Sequence, residues 1–338
     1  MTHSIRVLVV RPSKSSFIEN DIKMLERHFE VRTVDIFEKG RSFRNSVKVF
    51  VRLFKGVVWS DVTYSWFAEI YALWAVRLSR LLSKKSIVVI GGYDVACIPE
   101  IGYGKLIDPH EASQVRYTIN HADRVLTVSD GLKQDAIKNA GARGDNIQTL
   151  PTGYDPERFS PLGHKEPIVL TAAFCDDPKR IKIKGIDVFI EVARSMPYAR
   201  FEVIGISDQM RVEFASPSPE NLKLTPPLLQ DEMIERFQRA KVYCQLSIRE
   251  GLPNALCEAM LCECVPVVSD VGAMPDVVGQ TGFVVQRNDL DAIMEVVRQA
   301  LVSDTGTDAR ARVKYIYSMA RREKALVSII NGLVKRGE

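Results

Sequence analysis

No apolar run in this 338-residue chain is long enough to span a membrane. The first apolar block, Val7 to Val10, is too short for the core of a signal peptide. Both absences point to a cytoplasmic protein. Six cysteines are present (Cys97, Cys175, Cys244, Cys257, Cys262 and Cys264), and none forms a C-x-x-C pair. Their spacing suits neither a zinc site nor a disulfide framework. A metal held by Cys257, Cys262 and Cys264 has the wrong ligand spacing, so the cysteines read as small buried apolar residues. A strand followed by Gly-x-Gly-x-x-Gly is also missing. The nearest stretch, Gly102-Tyr103-Gly104, has no third glycine and no preceding strand, which argues against a nicotinamide oxidoreductase. No internal repeat or low-complexity tract occurs. The net charge of +4 is too mild to imply nucleic acid, although it suits anionic ligands or an anionic membrane surface.

What is present is ordinary globular composition, 46% hydrophobic and 26% charged, in a chain too long for one core. Short apolar runs alternate with longer amphipathic segments, the pattern of βα units in parallel sheets. The first half offers strands at Ile5–Val10, Val31–Val34, Val62–Tyr64, Ile87–Ile90, Val125–Val128 and Ile147–Leu150. The second offers Ile168–Thr171, Phe201–Ile204, Leu222–Leu224, Val242–Leu246, Val265–Ser269 and Phe283–Val285. A Pro- and Gly-rich stretch from Leu150 to Pro161 separates them. The expected organisation is α/β, with two doubly wound Rossmann-like domains, 1–160 and 161–315, facing a central cleft. A C-terminal helix over about 316–338 is expected to return to the first domain.

The stretch Ser247-Ile248-Arg249-Glu250-Gly251-Leu252-Pro253-Asn254-Ala255-Leu256-Cys257-Glu258 follows the strand Val242–Leu246. A turn at Gly251, then Pro253 at the first helical position, would present free N–H groups from Leu252 to Ala255 to a phosphate. Glu250 at the strand end and Glu258 inside the helix are acceptor-only groups, suited to the hydroxyls of sugars. Phosphates between two sugars describe a nucleotide sugar. On these residues alone, Glu250 could equally cap the helix and Glu258 be a solvated helix residue.

Taken with its surroundings, this stretch resembles the family-4 glycosyltransferases of GT-B fold. The resemblance rests on Glu250-GLPNALC-Glu258, then Pro266-Val267-Val268 with a turn at Gly272, and Gly282-Phe283-Val284-Val285. Upstream it takes in Val128-Ser129-Asp130-Gly131, Leu150-Pro151-Thr152-Gly153, Lys184-Gly185-Ile186-Asp187 and Val203-Ile204-Gly205. It implies a retaining enzyme that moves a hexose-type sugar from a UDP- or GDP-linked donor to a glycan or lipid-linked acceptor hydroxyl. By resemblance, Glu250 contacts the donor sugar, Glu258 the ribose, and Gly251, Leu252, Pro253 and Asn254 the sugar and distal phosphate, with Gly205 also on the donor side. Lys184 and Arg180, with Lys179 as a substitute for Arg180, would clamp the diphosphate. With these cations no metal and no cofactor is needed. The only Asp-x-Asp pair, Asp289-Leu290-Asp291, reads as a helix cap. A sugar-nucleotide epimerase and a non-catalytic nucleotide-sugar-binding subunit are the alternatives.

The acceptor side is less defined. Ser16 and Phe17 follow the first strand, and Gly91, Gly92 and Asp94 follow the fourth. Relatives place a histidine where Gly91 stands, with His110 or His121 as the only substitutes. Asp94 would either orient the acceptor or cap its loop. Arg41, Arg44, Lys48, Arg52 and Lys55 fall within about 80° of a helix, opposite Phe43, Val47, Phe50, Val51 and Phe54. The apolar side is expected to pack on the sheet with the basic side in water; the alternative is a basic face on anionic lipid at the inner membrane surface.

Overall fold

The computed structural model describes residues 4–36, 43–214 and 218–335, with the side chains of Phe43, Arg44 and Phe214 left aside. Arg41 of the basic face and residues 336–338 of the C-terminal helix therefore lie outside the described residues. The chain divides into two compact units, residues 1–153 with 319–338, and residues 154–318.

The first unit is built on six parallel strands: β1 (Arg6–Arg11), β2 (Glu30–Asp35), β3 (Val62–Trp66), β4 (Lys85–Ile90), β5 (Arg124–Thr127) and β6 (Ile147–Thr149). Their spatial order is β2-β1-β3-β4-β5-β6. Val7 to Val10 are all buried, as expected of a parallel strand covered by helices on both faces. β1 pairs with β2 through Val7↔Val31 and with β3 through Val7↔Val62, so the order reverses beside β1.

The second unit carries β7 (Glu166–Cys175), β8 (Arg200–Ile206), β9 (Leu222–Thr225), β10 (Ala240–Gln245), β11 (Val265–Ser269) and β12 (Phe283–Val285). The order is β12-β11-β10-β7-β8-β9, all parallel. Its core gathers Val169, Phe189, Phe201, Val242 and Val267 between sheet and helices. The order reverses between β7 and β10, and in such sheets ligands bind beyond the carboxyl ends of the strands at that point.

The division falls at Gly153/Tyr154 rather than at residue 160. Tyr154 already belongs to the second unit: its N–H donates to the Tyr317 carbonyl (2.8 Å) and its hydroxyl to Asn254 Oδ1 (2.7 Å). The helix Met319–Lys335 returns to the first unit beside the helix Ser16–Glu26. Arg322, at its start, is buried. Its Nε and Nη2 reach Asp21 at 2.6 and 2.7 Å, and its Nη1 donates to the Leu150 and Pro151 carbonyls.

The helix Phe43–Trp59 corrects the sequence reading. Val49, Leu53 and Val57 face the sheet, and Gly56 lies so close that a Cβ there would sit 2.6 Å from the Leu8 side chain. The small residues make the close approach. Val47, Phe50, Val51 and Phe54, expected against the sheet, are exposed.

Candidate functional site

The carboxyl ends of β7 and β10 carry the groups singled out in the sequence. After β7, Asp177 caps the short helix Pro178–Lys184 by accepting from Arg180 N, and Gly185 ends it at φ +69°. A Cβ on Gly185 would fall 1.9 Å from the Leu246 carbonyl, so the two strand ends touch backbone to backbone. Ile248 N donates to the Ile183 carbonyl at 2.7 Å across the same seam. This contact brings Lys184 Nζ to 2.8 Å from Glu250 Oε1.

Glu250 is firmly held. Its side chain is 9% exposed, and Oε1 also accepts from Gln245 Nε2 (2.7 Å) and Ser247 Oγ (2.8 Å). Among the described residues no donor is recorded on Oε2, which leaves one oxygen of a fixed carboxylate for a ligand hydroxyl. Ser269 Oγ, at the end of β11, donates to the Ser247 carbonyl at 2.6 Å. Gly272, at φ +56°, passes so close that a Cβ would lie 2.1 Å from the Glu250 carbonyl. Arg287 donates to the Leu246 carbonyl (3.0 Å) and to Asp187 (3.1 Å). Gln245 and Arg287 are not marked by any motif, and Ser247 and Asp187 stand in quoted motifs with no role of their own; the signal of all four is their place at or beside the strand ends where the order reverses.

The helix after the loop runs Asn254–Leu261, so Pro253 is the N-cap and not the first helical residue, and no side chain caps it. Leu252 and Pro253 are buried, Gly251 and Asn254 half-buried. Gly251 is not left-handed; the turn depends instead on the packing of Gly272. The Glu258 carboxyl, half-buried in this helix, has no recorded hydrogen-bond partner among the described residues. Burial raises its carboxyl to about 8, with Arg158 acting weakly against that. Gly205, at the end of β8, has φ +103°, and a Cβ would meet the Ala173 carbonyl at 2.3 Å. It is needed for the close pairing of β7 and β8 beside the site.

Arg180 is exposed and lies over the Phe174 ring, paired with Asp176 (3.1 Å) and Asp177 (3.5 Å). Exposed pairs of this kind are weak and readily exchanged for a stronger anion. Asp289 accepts from Ala292 N as a helix cap. Burial pushes the Cys262 thiol up to about 12, and Cys257 and Cys264 higher than ordinary thiols as well, so all three stay protonated.

In the first unit Asp94 is buried. Its carboxylate accepts the backbone N–H groups of Gly92 (2.8 Å), Ala68 (3.2 Å) and Gly91 (3.4 Å). It staples the loops after β3 and β4, the capping arrangement the sequence allowed. A Cβ on Gly91 would lie 2.3 Å from the Phe67 ring, so that ring fills the space where a side chain at 91 would go. Phe67 is itself left-handed, at φ +64°. Phe17, which follows Ser16 in the first turn of its helix, lies tilted against Trp66 with ring centroids 4.7 Å apart and meets Phe67 edge-on at 6.3 Å. His110 and His121 bond within their own helix, to Gln114 and to the Tyr117 carbonyl.

Comparison with known proteins sets this geometry in context. Residues 168–303 match the family described as Glycosyl transferases group 1. The O-antigen chain mannosyltransferase B of Escherichia coli is 36% identical over 69 residues, 20% of this chain and 18% of that protein. The MMP alpha-(1->4)-mannosyltransferase of Mycolicibacterium hassiacum is 23% identical over 230 residues, 63% of this chain and 54% of that protein. The chain thus spans at most about half the length of these curated relatives. Among solved structures, HepE of Anabaena in complex with UDP and glucose superposes with a TM-score of 0.75 at 12% identity. The match covers 98% of this chain and 100% of that one. The fold is GT-B, two six-stranded parallel sheets with surrounding helices.

Proposed function

We propose that this chain transfers a hexose-type sugar from a nucleoside diphosphate to an acceptor hydroxyl, with retention of anomeric configuration. The observation that carries this reading is the Lys184–Glu250 contact, which sits where β7 and β10 part, inside the segment that matches Glycosyl transferases group 1. Glu250 Oε2 accepts donor-sugar hydroxyls, and Glu258 accepts the ribose diol. The uncapped start of the helix Asn254–Leu261 and its dipole receive the distal phosphate.

In the transfer, the bond between the anomeric carbon and the phosphate oxygen breaks, and its electron pair stays on the diphosphate. The acceptor oxygen bonds to that carbon on the same face, and its proton passes to the departing phosphate. No protein base is required. Lys184 turns from Glu250 toward the growing charge, and Arg180 exchanges its exposed carboxylates for the same anion. These cations do the work of a divalent metal, so turnover should survive excess chelator.

The relatives named as mannosyltransferases make a mannosyl donor the first to test, and the structural neighbour holding UDP and glucose makes a UDP-linked hexose the second. The acceptor is a glycan or lipid-linked alcohol on the first unit. Calorimetry of UDP- and GDP-sugars, followed by NMR of the product anomer with a glycan primer, tests the reading. Binding without release of nucleoside diphosphate from any acceptor would support the non-catalytic alternative. A free epimerised nucleotide sugar would support the epimerase.

A further inference from the structure

The helix Phe43–Trp59 has three sides. One is buried through Val49, Leu53 and Val57. The second carries Val47, Phe50, Val51, Phe54 and Val58, each 36–49% exposed. Their spacing of three and four residues makes them one continuous row. The third carries exposed Lys48, Arg52 and Lys55. Between Phe43 and Trp59 there is no Asp or Glu. The apolar row reaches the neighbouring helix Ile70–Leu81, where Trp74 meets Phe50 edge-on at 5.4 Å. Ile70, one turn before Trp74 on the same side of that helix, is also exposed.

A sheet-covering helix has no need of two exposed phenylalanines in a row of five apolar residues. A helix lying in a lipid interface does need such a row, beside a basic face and free of acidic residues. Self-association through this row would set the lysines of one copy near those of the other, which like-charge repulsion opposes. An anionic surface instead satisfies both sides at once. We propose that the first unit docks on anionic lipid bilayers through this helix, with Phe50 and Phe54 entering the acyl boundary and Lys48 and Lys55 meeting the headgroups.

The two helices follow β2 and β3 of a parallel sheet, so their first turns lie toward the carboxyl edge of the strands, as do Phe17 after β1 and Phe67 after β3. A bilayer at that edge would present lipid-linked alcohols to the acceptor side. That link rests on the proposed transfer reaction, but docking does not, since it is read without turnover.

The test is co-sedimentation of the full chain with vesicles of phosphatidylcholine alone or mixed with phosphatidylglycerol. Binding is expected only to the mixed vesicles and should weaken as salt is raised. Lys48→Gln with Lys55→Gln should lower affinity about thirtyfold. Phe50→Ser with Phe54→Ser should lower it at least as much. If the phenylalanine variant fails to fold, the lysine variant and the salt series still decide. The proposal is overturned if the parent ignores anionic vesicles, if its binding is indifferent to salt, or if the lysine variant binds as the parent does. It is equally overturned if the parent is a dimer in solution that the phenylalanine variant dissociates.

Discussion

Lys184 Nζ lies 2.8 Å from Glu250 Oε1, although 66 residues separate them in sequence. The contact closes the ends of two strands onto each other and places the site's best-positioned cation on its best-held anion. In the free protein each group compensates the other. When a diphosphate enters, the lysine has a second anion to choose.

Lys184→Ala should therefore act on the transition state more than on the ground state. The leaving diphosphate gains charge as the bond breaks, and loss of one preorganised contact of this kind costs about 10²–10³ in kcat. Donor affinity should fall by about tenfold at most. Steady-state kinetics and calorimetry on the same folded variant check this. Near-normal kcat at saturating donor would show that the lysine only gathers the ligand. Stability should also fall, by about 1–3 kcal/mol, because Glu250 keeps its burial but loses its cation; the half-exposed lysine keeps the figure below that of a fully buried pair.

Gly272→Ala should misplace Glu250 without touching any ligand. The added Cβ would sit 2.1 Å from the Glu250 carbonyl, and at φ +56° the new side chain is also strained. The loop must shift, so donor-sugar binding should weaken by about 1–3 kcal/mol. Nucleoside diphosphate without the sugar should lose less. Equal losses for both ligands would mean that the shift reaches the phosphate site as well.

Arg322→Met should cost about 3–5 kcal/mol of stability, since it strands the buried Asp21 carboxylate. Asp21 also accepts from the Tyr64 hydroxyl (2.6 Å) and Trp66 Nε1 (2.9 Å). Adding Asp21→Asn should restore part of the loss, because a neutral amide tolerates the missing cation. Chemical denaturation of the two single variants and the double one gives the coupling. Simple additivity of the two changes would deny it.

The inner strands were legible because they are buried on two faces, which writes them as apolar runs such as Val7 to Val10 and Val265 to Ser269, while an edge strand such as β2 has only Val31 and Val34 as apolar residues. Glu250, Lys184 and the loop from Gly251 to Pro253 were legible from their place at strand ends and from family resemblance. The buried side of the helix Phe43–Trp59 was not. A helical period marks an apolar arc, but here apolar residues cover most of two sides. Which side meets the sheet was decided by Gly56 and the smaller side chains that fit over Leu8. Asp94 was ambiguous for another reason: a carboxylate two residues after a glycine pair reads alike whether its oxygens face backbone N–H groups or a ligand. Gln245 and Ser247 carry no signal of their own, since only the fold aims them at Glu250.

Glu258 joins function to pH. In the folded protein burial raises its carboxyl to about 8, against 4.5 for an ordinary glutamate. Between those values the folded chain holds a proton that the unfolded chain has lost, so stability should fall as pH rises from about 5 to 8 and level off above. Glu258→Gln removes the titration, and the variant should be more stable than the parent at pH 8.5 by about 1–3 kcal/mol, a range reduced for the partial exposure of the group. The two should converge toward pH 5. Ligand binding should run the other way. A ribose diol is best accepted by the carboxylate, which at pH 7 is about a tenth populated for a group titrating near 8. Nucleotide affinity should thus rise about tenfold from pH 7 to pH 9, with release of a proton on binding. Calorimetry at pH 7 in buffers of different ionisation enthalpy measures that proton directly, and in Glu258→Gln it should be absent. If the parent binds nucleotide with a buffer-independent heat and a flat pH profile, Glu258 does not meet the ligand as a carboxylate, and the ribose belongs elsewhere on the second unit.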